Sequence, residues 1–128
     1  MNLLLDTHTV LWTMLDPSNL SSKARGLIGD PANSLMVSVV SLWEITIKIQ
    51  IGKLTVPGAD IAFILQNLDG FRIRILPVTS EHLRTFQVLP RLHKDPFDRM
   101  IIAQAQAEGI PLVTADRDIR QYQLNCLW

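Results

Sequence analysis

The sequence contains a single cysteine, few aromatic residues and no net charge. With only Cys126, no intramolecular disulfide can form, so the chain does not fit the disulfide-stabilised class of small secreted domains. The 12 basic and 12 acidic side chains cancel, which argues against a broadly basic surface. No apolar run is long enough to span a bilayer, and the opening MNLLLD is too short for a signal peptide. We therefore expect a cytoplasmic protein without a membrane association.

What the sequence does contain is apolar material in short, regularly spaced runs. Of the 128 residues, 48% are hydrophobic and only 19% are charged, which suffices for a buried sheet in a single domain spanning 1–128. Runs typical of strands alternate with segments of helical periodicity along the whole chain. This alternation predicts an α/β fold in which a parallel sheet is covered by helices on both faces.

The element boundaries follow from capping and turn residues. Strands are predicted at 2–5, 35–39, 71–76, 111–114 and 124–127, and helices at 7–15, 21–28, 42–51, 60–68, 80–89 and 96–108. Arg72 and Arg74 alternate with apolar residues, which places the third strand at an edge of the sheet. Ser41 is predicted to cap the third helix, whereas Asp95 caps the last helix and Gly109 ends it.

Four acidic residues are predicted at the carboxyl edge of the sheet, where ligands bind in such folds. Asp6 ends the first strand and Asp116 follows the fourth, while Glu44 and Asp98 lie in the first turns of helices. Clustered carboxylates are unfavourable unless a cation neutralises them, and Mg²⁺ or Mn²⁺ prefers oxygen ligands. The histidines are too far apart in sequence for zinc-type spacing. The pattern favours metal-assisted phosphodiester hydrolysis that leaves a 5′-phosphate and a 3′-hydroxyl.

Two other interpretations of these acids remain open. Ser41 and Glu44 fit a capping box, and the three aspartates suit helix N-termini, so the chain could be a non-catalytic α/β interaction module. It could also be another carboxylate-dependent phosphoryl-transfer hydrolase. The phosphatase pattern of a second aspartate two residues after the first is missing, because Thr7 and His8 follow Asp6.

Three segments resemble the motifs of PIN-domain ribonucleases of the VapC type, the toxins of bacterial type II toxin–antitoxin pairs. They are LLLDTHTVLW at 3–12, SVVSLWEITIKIQIGKL at 38–54 and DPFDRMIIAQAQAEGIPLVTAD at 95–116. The resemblance implies a three-layer α/β/α sandwich with a mainly parallel sheet of about five strands. It also implies a Mg²⁺- or Mn²⁺-dependent endoribonuclease that acts on RNA, forms a homodimer and is inhibited by a protein antitoxin. The family's acidic site falls on Asp6, Glu44, Asp98 and Asp116, with the three aspartates as metal ligands.

Several residues are expected to support these acids. The hydroxyls of Thr7, Ser38 and Thr114 lie at predicted strand ends and could orient a carboxylate or a water molecule, or serve only as ordinary caps. Asp116 matches the T-x-D pattern that begins at Thr114, and Asp118, two residues further on, could share its role.

RNA phosphates must approach a cluster of acids, so a local basic rim is required. The candidates for RNA contact are His8, Lys48, Lys53 and Arg99, and His93, Lys94 and Arg117 could line the approach. Lys48 fits an intrahelical pair with Glu44 equally well. Trp12 and Trp43 could stack on bases, but their apolar neighbours favour packing in the core or at a dimer interface.

Overall fold

A computed structural model describes residues 1–128 and contains one parallel sheet between two layers of helices. The strand order is β3-β2-β1-β4-β5, and every neighbouring pair is parallel. The strands are β1 (Asn2–Leu5), β2 (Ser34–Ser38), β3 (Ile73–Leu76), β4 (Leu112–Val113) and β5 (Cys126–Leu127). The helices are α1 (Thr7–Leu15), α2 (Ser22–Gly29), α3 (Val39–Gln50), α4 (Ala62–Gly70), α5 (Ser80–Gln87) and α6 (Pro96–Glu108). The predicted three-layer α/β/α sandwich and the edge position of the third strand are both confirmed.

Two apolar clusters cover the two faces of the sheet. Leu3 and Leu5 of β1 belong to the larger cluster and Leu4 to the smaller one, because successive side chains of a strand point to opposite faces. Helices α1 to α4 contribute to the larger cluster through Val10, Ala24, Leu42, Ile45, Ile64 and Leu68. Helix α6 contributes Ile101, Ile102 and Ala105 to the smaller one. The central strand β1 is thereby buried on both faces.

The start of α3 differs from the prediction. The side chain of Ser38 accepts a hydrogen bond from the Val40 amide at 3.0 Å, so Ser38 and not Ser41 is the N-cap. The predicted capping box of Ser41 and Glu44 is therefore wrong, and Glu44 lies in the second turn of the helix and not the first. The reason is tertiary: β2 pairs with β3 as far as Ser38, and the helix begins at the next residue.

The ends of α6 agree with the sequence. Asp95 accepts a hydrogen bond from the Phe97 amide at 2.8 Å, Pro96 is the first helical residue, and Gly109 ends the helix with a left-handed φ of 65°. Several other boundaries differ from the prediction: α4 continues through the turn predicted at 69–70, β3 begins at Ile73, and β4 and β5 have two residues each. No helix has both the length and the apolar character required to cross a bilayer.

Candidate active site

Asp6 is fixed at the carboxyl edge by two threonines. It follows β1, and its Oδ1 accepts a hydrogen bond from the Thr9 amide at 2.8 Å, which begins α1. Its Oδ2 accepts from the hydroxyl of Thr114, which follows the neighbouring strand β4. Burial raises the pKa of Asp6, and the hydrogen bonds from Thr114 and Thr9 oppose this shift. The pairing of β1 with β4 therefore joins residues that are more than one hundred positions apart in sequence.

Glu44 is buried but fully partnered. The hydroxyl of Thr7 donates to its Oε1 at 2.8 Å, and the Thr7 hydroxyl also lies 2.9 Å from that of Ser41. The Nζ of Lys48, one turn further along α3, lies 3.0 Å from Oε2. The predicted intrahelical pair is present, and Lys48 stabilises the charge of an acid that is only 5% exposed.

Asp98 lies among other carboxylates in the first turn of α6. Burial and the negative charges of Asp95, Glu44 and Asp116 raise its pKa to about 7, while His93 acts in the opposite direction. Electrostatic repulsion of this kind acts over short distances. The structure thus places oxygens of Asp98 and Asp116 close together, and Glu44 lies near enough for its charge to act on Asp98.

The donor set fits a hard divalent cation. An oxygen of Asp98, an oxygen of Asp116 and a ring nitrogen of His93 all lie within 4.8 Å of one another. A cavity of about 240 Å³ beside this group is lined by Asp6 and Asp116, together with His8, Trp12 and Ala115. Mg²⁺ and Mn²⁺ prefer carboxylate oxygens, and a cation would relieve the repulsion that raises the pKa of Asp98.

His93 is the residue whose position sequence reasoning did not capture. The sequence places it only along the approach of RNA, yet its Nε2 lies 2.9 Å from Oδ2 of Asp98, although the two groups are not aligned as a hydrogen bond. The preceding loop is held by the Tyr122 hydroxyl, which accepts hydrogen bonds from the amides of Leu92 and His93 at 3.1 and 2.8 Å. The only local signal was that His93 lies two residues before the helix cap Asp95.

The tautomer of the neutral His93 ring follows from the contact that its other ring nitrogen makes. Nδ1 accepts a hydrogen bond from the Asp95 amide at 3.2 Å, so the neutral ring carries its proton on Nε2, which faces Asp98. A metal ligand needs a free lone pair on that nitrogen. In this arrangement the Nε2 proton of His93 is available to an anionic group, and the carboxylates are the groups that can hold a cation.

Mn²⁺ affinity should therefore survive the loss of His93. We expect His93→Gln to change the dissociation constant for Mn²⁺ by no more than about threefold, whereas removal of a carboxylate ligand should weaken binding by more than about tenfold. Titration followed by electron paramagnetic resonance, with Asp98→Asn as the comparison, measures both constants. A His93→Gln protein that binds Mn²⁺ as poorly as Asp98→Asn would mean that His93 is a ligand.

The other predicted supporting residues differ in their contacts. Asp118 is exposed; its amide donates to Oδ1 of Asp116 at 2.8 Å, and its own carboxylate accepts from Gln121 at 3.2 Å. The backbone of Asp118 thus orients Asp116, while its carboxylate faces a different partner. Ser38 is buried as the N-cap of α3.

The predicted RNA-contacting residues separate into two groups. Arg99 faces α5: its guanidinium donates to the Leu89 carbonyl at 3.3 Å and lies 4.6 Å from the Phe86 ring centre. Its expected contact with RNA therefore has no geometric support. In contrast, His8, Lys48 and Lys53 line one cavity beside α1.

The two tryptophans of interest have different environments. Trp12 is half-buried and packs against the larger core cluster, as expected. Trp43 is 60% exposed and meets Phe97 edge-on, with ring centres 5.2 Å apart. Packing in the core is therefore wrong for Trp43, whose ring lies against α6, whereas packing at a dimer interface stays a prediction.

The fold and the site together define a class of protein: a three-layer α/β/α domain with a parallel sheet whose carboxyl edge gathers carboxylates around a cation-sized site. Comparison with known proteins makes this class specific. Residues 3–124 match the family model of the PIN domain, and the chain belongs to the PIN domain family.

Relatives and solved structures agree with this membership. Ribonuclease VapC22 of Mycobacterium tuberculosis is 29% identical over 121 residues, which cover 94% of this chain and 91% of the relative. The fold resembles that of VapBC2 from Rickettsia felis, bound to a DNA fragment from its promoter, with a TM-score of 0.73, 18% identity and coverage of 99% and 98% of the two chains. DNA-bound VapBC from Salmonella typhimurium gives a TM-score of 0.70 at 18% identity, with 99% and 97% covered.

Proposed function

We propose that this protein is a metal-dependent endoribonuclease that acts as the toxin of a toxin–antitoxin pair. The observation that carries the proposal is the meeting of Asp98, Asp116 and His93 within 4.8 Å of one another, at a place where burial and the negative charges of Asp95, Glu44 and Asp116 raise the pKa of Asp98 to about 7. A divalent cation bound between these carboxylates would offset their mutual repulsion. Membership of the PIN domain family and the similarity to Ribonuclease VapC22 support RNA as the substrate.

Each acid is assigned a role in this proposal. Asp98 and Asp116 would hold Mg²⁺ or Mn²⁺, and Asp6 faces the same cavity as a further ligand. The ion, when bound, lowers the pKa of a water molecule and stabilises negative charge on the leaving oxygen. Glu44, held by Thr7 and Lys48, is the group assigned to accept a proton from the attacking water. His93 presents its Nε2 proton beside Asp98 for contact with the phosphate.

Metal-dependent cleavage of RNA tests this proposal directly. Protein purified free of any bound partner is incubated with labelled RNA in Mg²⁺, in Mn²⁺ and in EDTA. We expect cleavage with either ion, loss of cleavage in EDTA, and its return when excess metal is added. Cleavage that is undiminished in EDTA would contradict the mechanism. Absence of both cleavage and site-specific metal binding would favour the non-catalytic interaction module.

Thr114→Val is expected to reduce cleavage by about 10–100-fold, the usual effect of losing a group that orients a metal ligand. The substitution keeps the shape of the side chain but removes the hydroxyl that donates to Asp6 and accepts from the Asp116 amide. The rate of RNA cleavage at saturating Mg²⁺ measures the effect. Thr46→Val on α3 is the matched control, because its hydroxyl bonds only to a carbonyl of its own helix. Equal rates for the two variants would refute the orienting role.

The proposed partners are a protein antitoxin and a second copy of the chain. The antitoxin is supported by the similarity to solved VapBC complexes. The homodimer is supported by exposed apolar side chains on α3 and α5, two helices that contact α6, and just after α5: Val39, Trp43, Leu83 and Val88. Light scattering of the purified chain distinguishes a dimer from a monomer.

An RNA substrate and a single cysteine also suit a cytoplasmic location.

A further inference from the structure

We propose that the groove between α1 and the C-terminal end of α3 binds one nucleotide of a single-stranded RNA, with the base against Trp12 and a phosphate beside Lys48 and Lys53. This inference rests on the proposed function, because it takes RNA to be the molecule that reaches the acids. It adds a specific subsite outside the acid cluster and identifies the contacts that hold the strand there.

The first support is the continuity of two cavities. The groove has a volume of about 300 Å³, and the acid-lined cavity described above has about 240 Å³. Both are lined by His8 and Trp12, so they adjoin at this pair of rings. A strand whose phosphate lies at Asp116 can therefore place a neighbouring nucleotide in the groove by passing over these two rings.

The second support is the aromatic floor. The Trp12 ring centre lies 5.6 Å from that of His8 and 5.7 Å from that of Trp128, tilted in both cases. Trp12 also packs against the larger core cluster, which holds its ring in place. The groove continues over apolar side chains of Leu11, Leu15 and Leu54. Aromatic surfaces of this kind bind the bases of single-stranded nucleic acids by stacking, with little dependence on sequence.

The third support is the local charge. The whole chain has no net charge, yet Lys48 and Lys53 line the same groove. The side chain of Lys48 is 35% exposed while it contacts Glu44, and Lys53 is exposed. The one acid on the rim, Asp16, accepts a hydrogen bond from Asn19 at 2.8 Å and is thereby engaged within its own turn. The groove thus offers cations to a phosphate beside an aromatic surface for a base.

The test compares an RNA octamer of uridine with an octamer of the same backbone that lacks bases, both fluorescently labelled. Binding is measured by anisotropy in EDTA, so that metal-dependent cleavage does not interfere. We expect the wild type to bind the uridine octamer about tenfold more tightly than the abasic one. Trp12→Leu should lose this difference and Trp12→Phe should retain most of it. Phe71→Leu, which alters a partly exposed aromatic side chain just before β3, is the control and should behave as the wild type.

A second variant tests the phosphate contact independently of the core. Lys53→Gln changes an exposed side chain and should weaken binding of both octamers equally, with the slope of log affinity against log salt reduced by about 0.7. Wild-type discrimination in a folded Trp12→Leu protein, or an unchanged salt slope in Lys53→Gln, overturns the subsite. If the wild type still cleaves RNA in Mg²⁺, only the subsite has failed, and the groove is then a surface for a protein. If it neither binds nor cleaves RNA, the proposed function has failed as well.

Discussion

Asp98→Asn is expected to lower the rate of RNA cleavage by more than about 100-fold without loss of the fold. Loss of a group that only orients a metal ligand lowers activity by about 10–100-fold. Loss of the ligand itself should therefore cause a larger decrease in activity. The amide has the shape of the carboxylate but no negative charge, so it binds a divalent cation poorly. The side chain is 17% exposed and its nearest partner is His93, so the substitution opens no cavity in the core.

The comparison for this variant is Asp69→Asn, an exposed acid near the end of α4. Both substitutions remove one negative charge, so a general change in RNA attraction would affect them alike. We expect Asp69→Asn to cleave RNA at the wild-type rate. Single-turnover kinetics at saturating Mg²⁺, on proteins purified in the same way, separates the two variants and also reveals any contaminating nuclease. Full activity in Asp98→Asn would remove Asp98 from the site.

The metal-free protein is expected to become less stable as the pH rises from about 4 to about 7. Asp98 has an ordinary pKa of 3.8 when unfolded and of about 7 in the folded protein. Between these values the folded state binds the proton more tightly than the unfolded state, so raising the pH favours unfolding. Burial raises the pKa of Asp6 as well, which acts in the same direction. Above about pH 7 the contribution of Asp98 is constant.

Thermal melts of the wild type and Asp98→Asn, at pH 5.5 and pH 8 in EDTA, measure this effect. The asparagine has no charge to bury, so Asp98→Asn should be more stable than the wild type at pH 8, by on the order of 2 kcal/mol after allowance for partial solvation of the carboxyl group. The two proteins should converge at low pH. Parallel pH profiles for the two proteins would show that Asp98 titrates normally.

Divalent ions should reverse the loss of stability at high pH. Mg²⁺ binds the ionised carboxylates and must displace a proton from Asp98 at lower pH. We therefore expect added Mg²⁺ to raise the melting temperature of the wild type more at pH 8 than at pH 5.5, and to have little effect on Asp98→Asn. The change in melting temperature on addition of Mg²⁺ thus tests metal binding by the acid cluster without a measurement of RNA cleavage.

The acid cluster explains how a protein with no net charge can suit a polyanionic substrate. Its negative charges are concentrated at one edge of the sheet, where a cation would neutralise them. Lys48 lies at the boundary, since it contacts Glu44 and also lines the groove with Lys53. Whether a phosphate can approach the acid cluster therefore depends on how the charged side chains are arranged around it, and not on the net charge of the chain.

The sequence by itself determined the elements and the edge at which the acids meet. Helix ends are encoded by a few adjacent residues, so Asp95, Pro96 and Gly109 set the limits of α6 with no help from the rest of the chain. The alternation of strands and helices implied a parallel sheet, and parallel strands end at a common edge. Asp6 and Asp116 were therefore predictable neighbours, as residues that follow β1 and β4.

Tertiary structure decided everything that depends on which segments pack together. Ser38 and Ser41 are equally good caps, and only the pairing of β2 with β3 selects Ser38. The position of His93 depends on Tyr122, 29 residues away in sequence, whose hydroxyl accepts hydrogen bonds from the amides of Leu92 and His93, and no local pattern encodes that contact. Packing of α6 between α3 and α5 likewise turned Arg99 toward Phe86 and left Trp43 exposed. Caps and periodicity act within a few residues, whereas these contacts form only when distant segments meet.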